Sequence, residues 1–256
     1  DEIKKTSTPE QDHALVENII IKTQGFVSGN FSEGDSAPVQ KFRALLKLYD
    51  GIDKKKLQEN MKYWLEAIMP ICDEYDINMC VHPDDPPYPV FGLPRIIGRA
   101  EDIQWMLDAV PNKHNGLTFC AGSFSAGEHN DCVAMAKQFA DRTHFVHLRS
   151  CYIFPNGNFT EASHLGGRGH LIELCRIFEK AEQEGKCNSG RRLPMRVDHG
   201  MTFTDEPGGV FDESNHGHNA GYTLLGRMFA MGQIQGVIAT VDDELGIEYK
   251  QPGFYD

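Results

Sequence analysis

Between residues 53 and 76, apolar side chains recur at three- and four-residue steps: Leu57, Met61, Trp64, Leu65, Ile68 and Cys72 fall on one face of a predicted helix that needs a partner to cover it. A shorter helix is predicted over 38–49, while the Gly- and Ser-rich stretch 23–37 reads as a loop. From Ile77 the pattern changes. Short apolar runs, each closed by polar, Gly- or Pro-rich sequence, alternate with helical stretches: INMCVHPDDPP (77–87), GLTFCAGS (116–123), THFVHLRS (143–150), LPMRVDHG (193–200) and QGVIATVDD (235–243). Helices are predicted near 100–110, 131–142, 169–185 and 221–234. The runs are apolar on both faces, as strands of a parallel sheet sandwiched by helices are, and this sets the fold class as α/β.

Alternating strands and helices build either an open doubly wound sheet or a closed eight-stranded barrel. Neither GxGxxG nor GxxxxGK[ST] follows any run, so nucleotide binding at a first βα turn has no support. Instead, four successive strand ends carry His82, Cys120, His147 and Asp198, separated by 38, 27 and 51 residues. A barrel gathers such ends around one axis, so a TIM (β/α)8 barrel is the expected architecture. Five strands are visible where a barrel needs eight. The expectation is therefore one domain over 1–256, with a helical lead-in (1–76), strands four to eight (77–243) and a C-terminal tail (244–256), about three strand units being absent. The single strand-like run before residue 77 is at 16–21.

Imidazole, thiolate and carboxylate together suit Mn, Fe, Co or Zn better than Mg or Ca, which favour all-oxygen sets. Three prolines stiffen the loop HPDDPP after the first run, and its Asp84 and Asp85 offer acceptors over a site. Arg149 follows His147 by two residues, hence on the same side of the strand, where a guanidinium can take a substrate carboxylate. His199, beside Asp198 and before Gly200, is placed to move a proton from the rim. The loop 201–219 holds His216 and His218, read as solvated residues.

Charge narrows the partners. Against 37 acidic residues stand 25 Lys and Arg, a net charge of −12, which repels nucleic acid and anionic membranes and disfavours a DNA-repair nuclease of barrel type. No apolar run of transmembrane length and no secretory pattern at the N-terminus is apparent, so a cytoplasmic location is expected. Seven cysteines, an odd number without CxxC spacing, read as reduced thiols.

VHPDDPP (81–87), GLPRI (92–96), DIQWMLD (102–108), FCAGS (119–123), HLRS (147–150), EASHLGG (161–167), MRVDHG (195–200) and GYTLLGR (221–227) together resemble the D-mannonate dehydratase family of bacterial hexuronate breakdown, over roughly residues 38–242. The resemblance implies a barrel of the xylose isomerase type, Mn²⁺ or Fe²⁺ held by His82, Cys120, His147 and Asp198, and essential groups at His199 and Tyr222. It also implies a sugar-acid substrate and a homo-oligomer, taken as a dimer. The roles first expected are Tyr222 as the base at C2 of D-mannonate and protonated His199 as the acid for the C3 hydroxyl. Two alternatives stand beside this: a metal-dependent sugar isomerase or epimerase of the same fold, and a truncated, non-catalytic fragment.

Overall fold

In the computed structural model, residues 8–11, 37–201 and 222–248 are described. Helix α1 (Ala37–Lys47) leads into α2 (Lys54–Tyr75), whose start is capped by the Asp53 carboxylate accepting from Lys56 N–H at 2.8 Å. Such a cap stabilises by about 1 kcal/mol. Leu65, Met69 and Cys72 of α2 are buried, with Met61 and Ile68 packed beside them, as the periodicity predicts. Trp64 is the exception at 49% exposed, because one residue from Leu65 turns the side chain by about 100°. The helix runs through Pro70, which in an interior turn costs about 3 kcal/mol; burial of the apolar face outweighs it.

The sheet follows: β1 (Met79–Val81), α3 (Ala100–Ala109), β2 (Asn115–Cys120), α4 (Ala121–Ser125), α5 (Cys132–Phe139), β3 (Thr143–His147), β4 (Cys151–Ile153), β5 (Phe159–Glu161), α6 (Leu171–Gln183), β6 (Met195–Arg196) and α7 (Leu224–Leu245). β1, β2, β3 and β6 form one parallel sheet in that order. All six residues of β2 are buried, the pattern of a parallel strand covered on both faces. Phe119, Phe124 and Phe178 meet in the core at ring separations of 5.1 and 5.2 Å, joining β2 to α4 and α6. The register pairs Cys120 with His147, and His147 with Arg196, so the strand ends stop at one level.

Two expectations change. The run 235–243, expected as a fifth strand, is the second half of α7. Val237, Ile238, Thr240 and Val241 gave it a strand-like composition, and Gly232 and Gly236 suggested a break before it, but both glycines are taken up inside the helix. The helix ends only at Gly246, whose φ of 67° closes it. Ile234 and Val241 are buried, and Arg176 of α6 forks onto Glu244 at 2.8 and 3.1 Å, which fixes α7 against α6. The sheet among the described residues thus has four parallel strands and is not a closed barrel. The second change is an antiparallel hairpin, β4–β5, that was not anticipated although Asn156-Gly157 is a turn signal; Gly157 sits at φ 84°. The run 16–21 and the loop with His216 and His218 lie outside the described residues.

Contrary to the reading that no apolar segment is long enough, α7 has the length and composition to cross a membrane, the one such helix among the described residues. It packs on α6 through one side and buries Asp242, while 22% of its apolar stretch is buried among the described residues and Leu224, Met228 and Phe229 are exposed.

Candidate metal centre and proton-transfer site

At the C-terminal ends of β1, β2 and β3, ligand atoms of His82, Cys120 and His147 lie within 4.8 Å of one another. His82 Nε2 is 3.2 Å from His147 Nδ1, and Asp198 Oδ2 is 3.7 Å from the same His147 nitrogen. Ligand bonds of about 2.0–2.3 Å put neighbouring donor atoms about 3–4 Å apart, so these spacings fit a shared ion. Asp198 stands at the edge of the cluster, outside the three-residue group.

The surroundings preset the donors. His82 Nδ1 lies 2.7 Å from the Pro83 carbonyl, which only accepts, so Nδ1 carries the proton and Nε2 keeps its lone pair for an ion. Cys120 Sγ receives Ser123 N–H at 3.5 Å, and the Ser123 hydroxyl lies 3.2 Å from both Cys120 Sγ and Asp85 Oδ2, with one hydrogen to give to either. Arg196 Nη2 donates to Asp198 Oδ1 at 2.9 Å, leaving Oδ2 toward His147. The donor set and its aim fit a divalent transition metal.

The acids and the arginine proposed to meet substrate have unequal positions. Asp84 turns inward: its Oδ2 accepts the backbone N–H groups of Ile96 and Ile97 at 2.7 and 2.8 Å, tying HPDDPP to the GLPR segment. Arg149 is 4% exposed and spans two carboxylates. It donates to Asp85 Oδ2 at 2.5 Å and, through Nε and Nη2, to Glu161 at 2.6–3.0 Å. Against the lowering effect of burial, these partners raise the guanidinium above its ordinary value. Gly122 makes room for it, since a Cβ there would lie 2.4 Å from Arg149 Cδ. Arg149 is therefore engaged inside the protein.

His199 and Tyr222 come together, rings tilted by 30° with centroids 4.7 Å apart, and the Arg227 guanidinium lies 4.7 Å from the centre of the Tyr222 ring. Burial and then the Arg149 charge press His199 down to about 4, so it is neutral at pH 7. Burial and then Asp198 push the Tyr222 phenol up, keeping its proton. Without an ion in place both rings thus favour their neutral forms, whereas the expected pairing of protonated His199 with ionised Tyr222 invokes the field of a bound metal.

Two residues were missed. Glu161 closes β5 and faces both Arg149 and His199; burial pushes its carboxyl up against the opposing pull of Arg149. His164 is buried with Nε2 2.9 Å from the Val197 carbonyl, steadying the approach to Asp198. Both belong to EASHLGG, a stretch noted for its resemblance but not read for chemistry.

A parallel α/β sheet whose strand ends converge two imidazoles and a thiol defines a candidate divalent-metal protein, with the His199 and Tyr222 rings in contact alongside. The chain belongs to the D-mannonate dehydratase (UxuA) family, whose model matches residues 4–247. Mannonate dehydratase 2 of Agrobacterium fabrum is 38% identical over 208 residues, 80% of this chain and 50% of that protein. Mannonate dehydratase of Chromohalobacter salexigens is 36% identical over 198 residues, 77% of this chain and 49% of that protein. The crystal structure of mannonate dehydratase from Streptococcus suis serotype 2 superposes with a TM-score of 0.65 at 27% identity, covering 80% of this chain and 56% of that one. The chain spans about half the length of the curated relatives it matches.

Proposed function

We propose that this chain carries the metal-binding and proton-transfer groups of a D-mannonate dehydratase, which removes water from D-mannonate to give 2-dehydro-3-deoxy-D-gluconate. The observation that carries the reading is the meeting of His82, Cys120 and His147, with Asp198 beside them, in a chain of this family. Those four residues would hold Mn²⁺ or Fe²⁺. When bound, the ion supplies positive charge against the negative charge that develops at the C1 carboxylate as the C2 proton leaves.

The chain's own groups handle the protons. Neutral His199 takes the proton from C2, and the Tyr222 hydroxyl donates to the departing C3 oxygen, which leaves as water; the resulting enol ketonises with protonation at C3. Their stacked rings put acceptor and donor side by side. Asp85 and Arg149 shape the wall through their mutual pair, and Asp84 holds the loop above. In the same reading the parallel sheet is part of a (β/α)8 barrel of the xylose isomerase type, in a cytoplasmic homodimer. The acidic net charge and seven free thiols support the location.

The test is turnover of D-mannonate by the purified chain with Mn²⁺, followed through the 2-oxo acid formed, with and without chelator. Chelator-sensitive product is expected. Stoichiometric metal bound by these ligands with no 2-oxo acid released would overturn the proposal, and turnover of a neutral aldose instead would favour an isomerase.

A further inference from the structure

The two nitrogens of His199 face different carboxylates. Nε2 is 3.6 Å from Asp198 Oδ2, and Nδ1 is 3.7 Å from Glu161 Oε1. Nδ1 is buried and makes no hydrogen bond at that separation. Glu161 is held still. Arg149 Nη2 donates to Oε1 at 2.6 Å and Nε is shared between Oε2 at 2.9 Å and Oε1 at 3.0 Å, which fixes the carboxylate with Oε1 on the His199 side. The backbone around it is tied as well: Ala162 N–H donates to the Ser150 carbonyl at 2.9 Å, and Arg168 N–H to the Cys151 carbonyl at 2.9 Å. One guanidinium between the two carboxylates Asp85 and Glu161 leaves a net charge of −1, more acceptor than Arg149 needs.

We propose that Glu161 is the positioning residue of His199: its carboxylate takes the Nδ1 proton in a hydrogen bond and so presents Nε2 as the atom that exchanges a proton with substrate. A closure of under about 1 Å brings the pair to ordinary hydrogen-bond length. The orienting carboxylate fixes one tautomer, which is what a proton-carrying imidazole needs from its partner. The inference rests on the proposed role of His199 in dehydration, but its structural half stands apart from turnover.

The test is ¹⁵N nuclear magnetic resonance of the metal-free full chain labelled at histidine, with the His199 signal identified by its loss in His199→Asn. The wild-type ring should show the Nδ1–H tautomer alone, Glu161→Ala should mix the tautomers, and Glu161→Gln, whose amide oxygen still accepts, should restore the wild-type form. In the loaded chain, Glu161→Ala should lower kcat about 10- to 100-fold with KM little changed, and Glu161→Gln should recover part of the loss. A wild-type Nε2–H tautomer overturns the proposal with no variant needed. So does an unchanged tautomer in Glu161→Ala whose other histidine signals match the wild type. Absence of turnover in the wild-type chain counts against the dehydratase reading alone, since the tautomer is read without substrate or metal.

Discussion

His82 and His147, on strands that do not neighbour each other, bring ring nitrogens to 3.2 Å across the end of the strand that carries Cys120. Two neutral rings cannot meet lone pair to lone pair without repulsion, so this contact calls for a shared proton or a shared cation.

A cation is expected to bind and to stabilise the fold. Mn²⁺ at about a hundredfold excess over its Kd should add about 2.7 kcal/mol to the unfolding free energy. In His147→Ala or Asp198→Ala the metal-dependent rise in Tm should vanish together with bound Mn in elemental analysis. Full occupancy in both variants would falsify the ligand assignment.

Arg149 separates two acids in a largely dry setting. Arg149→Ala should destabilise the chain by about 3 kcal/mol, the lower end for breaking a buried pair because both acids keep some contact with water. Arg149→Lys should recover little, having no fork for Glu161. Urea unfolding measures both; a loss of under about 1 kcal/mol for the alanine variant would mean that the network does not hold the site together.

Glu179 on α6 gives a pH dependence away from the site. Burial, then the charges of Asp242 and Glu182, raise it from its ordinary 4.5 to about 7. Its folded pKa exceeds its unfolded one, so between these values the native state holds more protons. Stability is then lost as pH rises from about 4.5 to 7. Unfolding free energies measured from pH 5 to 8 should fall for the wild type through this group. Glu179→Gln should flatten that part of the curve and be the more stable protein at pH 8; parallel curves would rule the group out.

Tyr222→Phe keeps the ring that contacts His199 and Arg227 and removes only the hydroxyl. Its stability should stay within about 0.5 kcal/mol of wild type, while kcat on D-mannonate falls by about 10²- to 10⁴-fold. Equal activity in steady-state assays would remove Tyr222 from proton transfer.

The parallel sheet and the convergence of His82, Cys120 and His147 were legible because strand ends announce themselves by apolar runs that stop at polar residues. The end of α7 was not, since 235–243 has the β-branched content of a strand and only continuity with the preceding helix decides otherwise. Arg149 shows a different limit. Its side of the strand followed from alternation, but its partners Asp85 and Glu161 come from a loop and a hairpin 64 and 12 residues away, and nothing local discloses that they occupy it. The protonation of His199 depends in the same way on burial and on a neighbouring cation, both properties of the assembled fold.

The backbone at Asp198 has φ 59°, in the left-handed region where aspartate and asparagine are tolerated and longer or β-branched side chains are not. That conformation limits how the site can be re-engineered. An exchange of this residue for glutamate, longer by one methylene, meets backbone resistance before any question of coordination arises. Drift toward another metal, in the laboratory or over evolutionary time, has freer passage through His82, Cys120 and His147, whose backbones carry no such restriction.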